Sequence, residues 1–121
     1  EAVGAKGLLN GDKKTYQIDP SNLEEAIREV REDIAEGADM VMVKPGMTYL
    51  DIISKIKKNF NIPIIAYQVS GEYALMKEGI KKKYFKEDII FESLISFKRA
   101  GACAIISYFA IDIAKKIKSI N

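Results

Sequence analysis

Three short apolar segments, each followed by a helix-like segment, constrain the fold of this chain more than any other feature. They span residues 40–43, 62–69 and 102–107. Because they lack the alternation of a half-exposed strand, they predict strands that are buried on both faces. Strands that alternate with helices are typical of parallel β/α units joined by right-handed crossovers. The sequence therefore predicts an α/β fold with a parallel sheet.

Helices are predicted where apolar residues recur at helical spacing between these strands. Residues 19–22 form a helix start signal, and Gly37 is the expected stop. Further helices are expected at about residues 48–59, 73–80, 87–99 and 111–120. Residues 36–39 and 99–102 look alike, a weak internal repeat of the kind found in a (β/α)₈ barrel. Such a barrel needs about 250 residues, so three strands would form less than half of one.

The composition excludes several kinds of chemistry within this chain. It contains no His and one Cys, so histidine-based catalysis, histidine metal sites, internal disulfides and cysteine zinc clusters are ruled out. The formal net charge of +2 does not indicate binding to nucleic acid. No apolar segment approaches the roughly 20 residues of a membrane helix, and the first residues lack a signal-peptide pattern. We therefore expect a cytoplasmic protein with neither membrane nor nucleic acid as a partner.

Polar side chains follow the three predicted strands at the edge where parallel β/α folds carry their sites. They are Lys44, Ser70 and Tyr108. Burial disfavours the charged form of a lysine, and a neutral amine can attack a ketone or aldehyde to form a Schiff base. The two hydroxyls suit a carboxylate or a phosphate. The structural alternatives are a lysine that simply reaches solvent, a serine in a turn and a tyrosine used for packing.

Four segments resemble the C-terminal part of the porphobilinogen synthase family, also called δ-aminolevulinic acid dehydratase. They are GDKKTYQIDP (11–20), EGADMVMVKPGMTYLDII (36–53), YQVSGEYALMK (67–77) and KRAGACAIISYFA (98–110). The resemblance implies a parallel (β/α)₈ TIM barrel, of which residues 1–121 are the C-terminal portion of a single domain. Residues 1–18 would be an active-site loop region, and residues 19–121 about three β/α units. The implied reaction condenses two molecules of 5-aminolevulinate to porphobilinogen in tetrapyrrole and haem biosynthesis.

The same resemblance implies roles for individual residues. Lys44, in Met-Val-Lys-Pro-Gly, would form the Schiff base with substrate. Ser70 and Tyr108 would hold the carboxylate of one substrate molecule, and Lys13 and Gln17 that of the other. Many members carry Arg at the position of Lys13, so this chain keeps the charge there but loses the bidentate geometry.

A metal and an assembly are also implied by the resemblance. Glu29, in an Arg-Glu-Val context, corresponds to a ligand of an allosteric Mg²⁺, although without the fold it would be a solvated helix charge. Zinc is possible at a site upstream of this chain, and the family's second Schiff-base lysine also lies upstream. Cys103 is expected inside a strand and does not match a zinc ligand. The full-length family members imply a homo-oligomer, an octamer.

Three interpretations follow for the function. The chain is part of a porphobilinogen synthase, or it is a catalytically incomplete fragment or pseudo-enzyme that lacks the upstream half of the site. Without the resemblance, an aldolase-type Schiff-base lyase is the third. We expect the isolated chain to be inactive and to expose apolar strand and helix edges, because three strands leave two free edges that a closed barrel does not have.

Overall fold

The predicted parallel sheet is confirmed. A computed structural model describes residues 22–120. Its sheet contains three parallel strands in the order β1 (Val41–Val43), β2 (Ile64–Gln68) and β3 (Ala104–Ser107). Val43 pairs with Ala66, and Gln68 pairs with Ser107. The carboxyl ends of the strands therefore meet at one edge, as the α/β prediction requires.

The described part of the chain contains five helices besides this sheet. They are α1 (Leu23–Ala35), α2 (Leu50–Asn59), α3 (Ser70–Lys81), α4 (Asp88–Ala100) and α5 (Ala110–Ile120), with a 3₁₀ turn at Met47–Tyr49. The predicted helix start is confirmed at Asn22, whose side chain accepts a hydrogen bond from the Glu25 amide at 3.0 Å. None of the helices in residues 22–120 is long and apolar enough to cross a lipid bilayer.

The predicted start of α3 at residue 73 is wrong, because the helix begins at Ser70. Ser70 and Gly71 look like a loop in the sequence. However, the carboxylate of Glu72 accepts a hydrogen bond from the Val69 amide, which caps the helix at the end of β2. The helix predicted from residue 48 begins at Leu50, after the 3₁₀ turn.

The hydrophobic core lies on one face of the sheet. Its most deeply buried large side chains come from two strands and three helices: Val30, Val41, Val43, Ile53, Ile56, Ile64 and Phe97. Because side chains alternate along a strand, the other face carries Met42, Ile65 and Tyr67, which are half-buried. The prediction of burial on both faces is therefore wrong for the described residues, since α1, α2 and α4 pack against one face only.

The third strand departs furthest from the predicted burial. β3 is the last strand of the sheet, and its residues Ala104 and Ile106 are exposed. Cys103, expected inside this strand, lies one residue before it and is exposed. An apolar groove of about 500 Å³ lies between α4, β3 and α5, with Leu94 and Ile113 in its lining. These surfaces confirm the expectation that the chain exposes apolar strand and helix edges.

Candidate active site

Lys44 follows β1 directly and lies on the sheet face opposite the core. The residue is 7% exposed, and its Nζ lies 4.9 Å from the centroid of the Tyr67 ring. Desolvation lowers the pKa of Lys44 from the usual value of 10.5. A larger fraction of neutral amine is therefore present near neutral pH than on an exposed lysine. Such an amine is a nucleophile for a ketone carbonyl.

The segment after Lys44 is tied to the rest of the site by its backbone. The Gly46 amide donates a hydrogen bond to the Tyr67 carbonyl at 2.9 Å. A side chain at position 46 would meet the Phe97 ring at 2.6 Å, so only glycine allows this close approach. The next amide, that of Met47, donates to Oε2 of Glu72 at 2.8 Å. The backbone that carries Lys44 is thus fixed against β2 and α3.

Tyr67 connects Lys44 with Tyr108 on the same face of the sheet. A hydrogen bond with the Tyr108 side chain raises the pKa of Tyr67 above 10.0, and desolvation and the electrostatic effect of Tyr108 act in the same direction. The Tyr108 ring lies 5.3 Å from that of Tyr73, which in turn lies 4.6 Å from Phe109. Tyr108 is 56% exposed, so part of this residue faces the open side of the rim.

Ser70 is the first residue of α3 and is exposed. It shares the first turn of this helix with Tyr73, which contacts Tyr108. The amides of a first helical turn lack partners within the helix and carry partial positive charge, so a carboxylate is favoured there. The structure therefore brings the strand ends that carry Lys44, Ser70 and Tyr108 to one rim of the sheet.

Sequence reasoning assigned no role to two buried polar residues beside this rim. Gln68 is fully buried, donates to Ser93 Oγ at 3.0 Å and accepts from Ser107 Oγ at 2.6 Å. Ser107 Oγ also accepts from the Phe109 amide at 3.1 Å, which fixes the segment that contains Tyr108. The second residue is Glu72. A glutamine inside an apolar run and an acidic residue in a first helical turn are the signals that were available in the sequence.

The other predicted site residues lie elsewhere. Lys13 and Gln17, together with the predicted loop region 1–18, are outside the described residues. Glu29 lies in the middle of α1 and is half-buried. Because α1 packs on the core face of the sheet, Glu29 is on the opposite side from Lys44. Within residues 22–120 no three carboxylate, thiol or imidazole groups are close enough together to hold a metal ion.

The fold and the rim define a class of protein, the parallel β/α proteins that carry a desolvated lysine at the carboxyl ends of their strands. A sequence model of the family described as "Delta-aminolevulinic acid dehydratase" matches residues 1–116. The chain belongs to the delta-aminolevulinic acid dehydratase family. The resemblance found in the sequence is thereby confirmed.

Similar proteins come from distant organisms. The delta-aminolevulinic acid dehydratase of Rhodobacter capsulatus is 53% identical over 118 residues, which are 97% of this chain and 36% of that protein. The enzyme of Methanothermobacter thermautotrophicus is 50% identical over 103 residues, or 85% of this chain and 32% of that one. The chain thus spans about a third of the length of these curated relatives.

A solved structure is also similar. It is the crystal structure of delta-aminolevulinic acid dehydratase (porphobilinogen synthase) from Toxoplasma gondii ME49 in complex with the reaction product porphobilinogen. The match has a TM-score of 0.80 and 54% identity, and it covers 86% of this chain and 30% of that chain. The three β/α units described above therefore have the arrangement of the corresponding part of that enzyme.

Proposed function

We propose that this chain is the C-terminal part of a porphobilinogen synthase, which condenses two molecules of 5-aminolevulinate to porphobilinogen and two molecules of water. The observation that supports it best is the desolvated Lys44 amine on the rim of a parallel sheet, in a chain of this family. The T. gondii relative, which is 54% identical, was crystallised with porphobilinogen. The closed eight-stranded barrel is part of the proposal.

The covalent step that we assign to Lys44 is imine formation. Its neutral Nζ attacks the ketone carbon of 5-aminolevulinate, and a C–N bond forms while the carbonyl oxygen takes up a proton. The carbinolamine then loses that oxygen as water, whose two protons balance the two that Nζ gives up, and the C=N bond of the imine forms. The Tyr67 ring lies 4.9 Å from Nζ and shields one side of the amine from water, which favours its neutral, reactive form.

In this proposal, each 5-aminolevulinate molecule is oriented by hydrogen bonds to its carboxylate. Ser70 is the first residue of α3, and Tyr73 in the same helical turn contacts the ring of Tyr108, so the two hydroxyl-bearing residues belong to one part of the rim. We assign one carboxylate to these donors, because hydrogen bonds to an ionised acceptor are the strong ones. Lys13 and Gln17 are proposed to hold the carboxylate of the second substrate molecule.

A Mg²⁺ ion bound through Glu29 is proposed as an allosteric activator. Mg²⁺ is usually held by one or two carboxylates and keeps several waters. A half-buried carboxylate on a helix surface fits that role as a single ligand. On the core side of the sheet this ion would be remote from Lys44, so it takes no part in the chemical steps. A homo-octamer, a cytoplasmic location and a zinc site upstream complete the family-based proposal.

The second candidate function is that of a catalytically incomplete partner or pseudo-enzyme. It is favoured by the open face of the sheet in residues 22–120, where Met42, Ile65 and Tyr67 are only half-buried. Joining two ketones requires both to be held in register, and the described residues provide one candidate lysine for that purpose. The isolated chain is therefore expected to bind substrate without releasing product.

Borohydride reduction tests the Schiff-base proposal for Lys44. The chain is incubated with 5-aminolevulinate, reduced, digested and analysed by mass spectrometry. We expect the label on Lys44, and we expect the variant Lys44→Arg to lose it. The exposed Lys77 on α3 is the internal reference. A label on another residue, with Lys44 unmodified, would contradict the Schiff-base proposal.

Turnover is tested by following pyrrole formation with the chain alone and with a chimera. In the chimera, this chain replaces the matching third of the R. capsulatus relative. We expect activity from the chimera and none from the chain alone. An inactive, folded chimera would favour the pseudo-enzyme.

A further inference from the structure

The carboxylate of Glu72 lies between the two backbone segments that carry Lys44 and Ser70. Its Oε2 accepts a hydrogen bond from the Met47 amide at 2.8 Å, and its Oε1 accepts one from the Val69 amide at 3.1 Å. Met47 is three residues beyond Lys44, and Val69 directly precedes Ser70. One side chain therefore joins the end of β1 to the end of β2.

Burial of the Glu72 carboxylate costs free energy that hydrogen bonds must offset. Glu72 is 9% exposed, and burial raises its pKa above 4.5, while the hydrogen bonds from the Met47 and Val69 amides act in the opposite direction. A carboxylate is the only side-chain group of this size whose two terminal atoms both accept hydrogen bonds from backbone amides. The glutamate at this position is therefore explained by the bridge between Met47 and Val69.

We propose that Glu72 is a positioning residue that sets the spacing between the imine-forming amine of Lys44 and the carboxylate-binding hydroxyl of Ser70. The inference rests on the proposed function, because it concerns how one substrate molecule is held at two points. It predicts that Glu72 controls the preference for ketones that carry a carboxylate. A purely structural role would affect ketones with and without a carboxylate equally.

The test compares two ketones on the 121-residue chain. 5-Aminolevulinate carries a carboxylate, whereas aminoacetone presents the same aminoketone group without one. Each is incubated with the chain and cyanoborohydride, which reduces the imine to a stable secondary amine, and Lys44 labelling is quantified by mass spectrometry. The variant is Glu72→Gln, which keeps the shape but replaces one acceptor by an NH₂ group. The matched control is Glu78→Gln on the same helix, where Glu78 is exposed and lies 3.4 Å from Lys82.

The original chain is expected to label faster with 5-aminolevulinate than with aminoacetone. Glu72→Gln should lower this ratio about fivefold or more, the factor that corresponds to one ordinary hydrogen bond. Amide hydrogen exchange at Met47 and Val69 should accelerate by a similar factor. Glu78→Gln should change neither measurement. If Glu72→Gln does not fold, Glu72→Asp, which keeps both acceptor oxygens on a shorter side chain, is expected to lower the same ratio.

Failure of this inference and failure of the proposed function give different results. If Lys44 of the original chain takes no label, the Schiff-base proposal fails. In that case, faster exchange of the Met47 and Val69 amides in Glu72→Gln supports the bridge, and unchanged exchange overturns it. If Lys44 is labelled but the ratio is the same in Glu72→Gln, the positioning role is overturned, even where exchange accelerates.

Discussion

Replacement of Gln68 by leucine should destabilise the chain through its buried hydrogen bonds. The substitution removes the bonds to Ser93 Oγ at 3.0 Å and from Ser107 Oγ at 2.6 Å. Each is worth about 1 kcal/mol net, and a hydroxyl left without its acceptor adds about 1–3 kcal/mol. Apolar burial of leucine offsets part of this cost. We expect the free energy of unfolding to fall by about 2–4 kcal/mol, a large share of the roughly 5–15 kcal/mol of a typical domain.

Urea unfolding followed by far-UV circular dichroism measures this change. The control is Asn59→Ala, which removes an exposed hydrogen bond of 2.7 Å to the Lys55 carbonyl and should cost about 0.5 kcal/mol or less. The double variant Gln68→Leu with Ser107→Ala removes both partners, so it should cost about 1 kcal/mol less than the sum of the single variants. A Gln68→Leu chain as stable as the Asn59→Ala control would refute the network argument.

Three further predictions concern the chemistry. Reductive labelling of Lys44, measured as a function of pH, should rise with a midpoint below 10.5, because desolvation lowers the pKa and the neutral amine reacts; a midpoint at 10.5 or above contradicts the role of burial. In the chimera with the R. capsulatus relative, Ser70→Ala and Tyr108→Phe should each lower kcat/KM for 5-aminolevulinate about tenfold or more, since a hydrogen bond to a charged group is worth about 1.5–3 kcal/mol. Unchanged kinetics would reject these two as carboxylate donors. In the same chimera, Glu29→Ala should abolish stimulation by Mg²⁺ and leave the basal rate intact, and stimulation at an unchanged Mg²⁺ concentration would place the ion elsewhere.

The residues at the rim could be predicted from the sequence because each of them lies at or just after the end of a short apolar segment. Lys44 ends an apolar run and precedes a proline, so its place at a strand end required no knowledge of distant contacts. Tyr108 was placed in the same way. The hydrogen bond that links Tyr67 with Tyr108 was not predictable, since it depends on the pairing of β2 with β3.

The polar bridges were missed for a related reason. Glu72 binds an amide 25 residues away, and Gln68 binds a hydroxyl 39 residues away. The spacing of apolar residues within a single helix or strand does not reveal contacts between residues so far apart in the sequence. The burial of β3 was predicted incorrectly because apolar composition does not reveal how many layers cover a strand, and Ile106 is exposed at the edge of this sheet.

The alternation of side chains along β2 makes strand register part of the chemistry. Ala66 and Gln68 face the core, whereas Tyr67, between them, faces Lys44. A slip of one residue against β1 would turn the Tyr67 ring into the core and bring the Gln68 amide to the open face. A molecule with this register would lose both the buried hydrogen bonds of Gln68 and the contact between the Tyr67 ring and the Lys44 amine. Any step that fixes the register of β2 during folding therefore also protects the reactive amine.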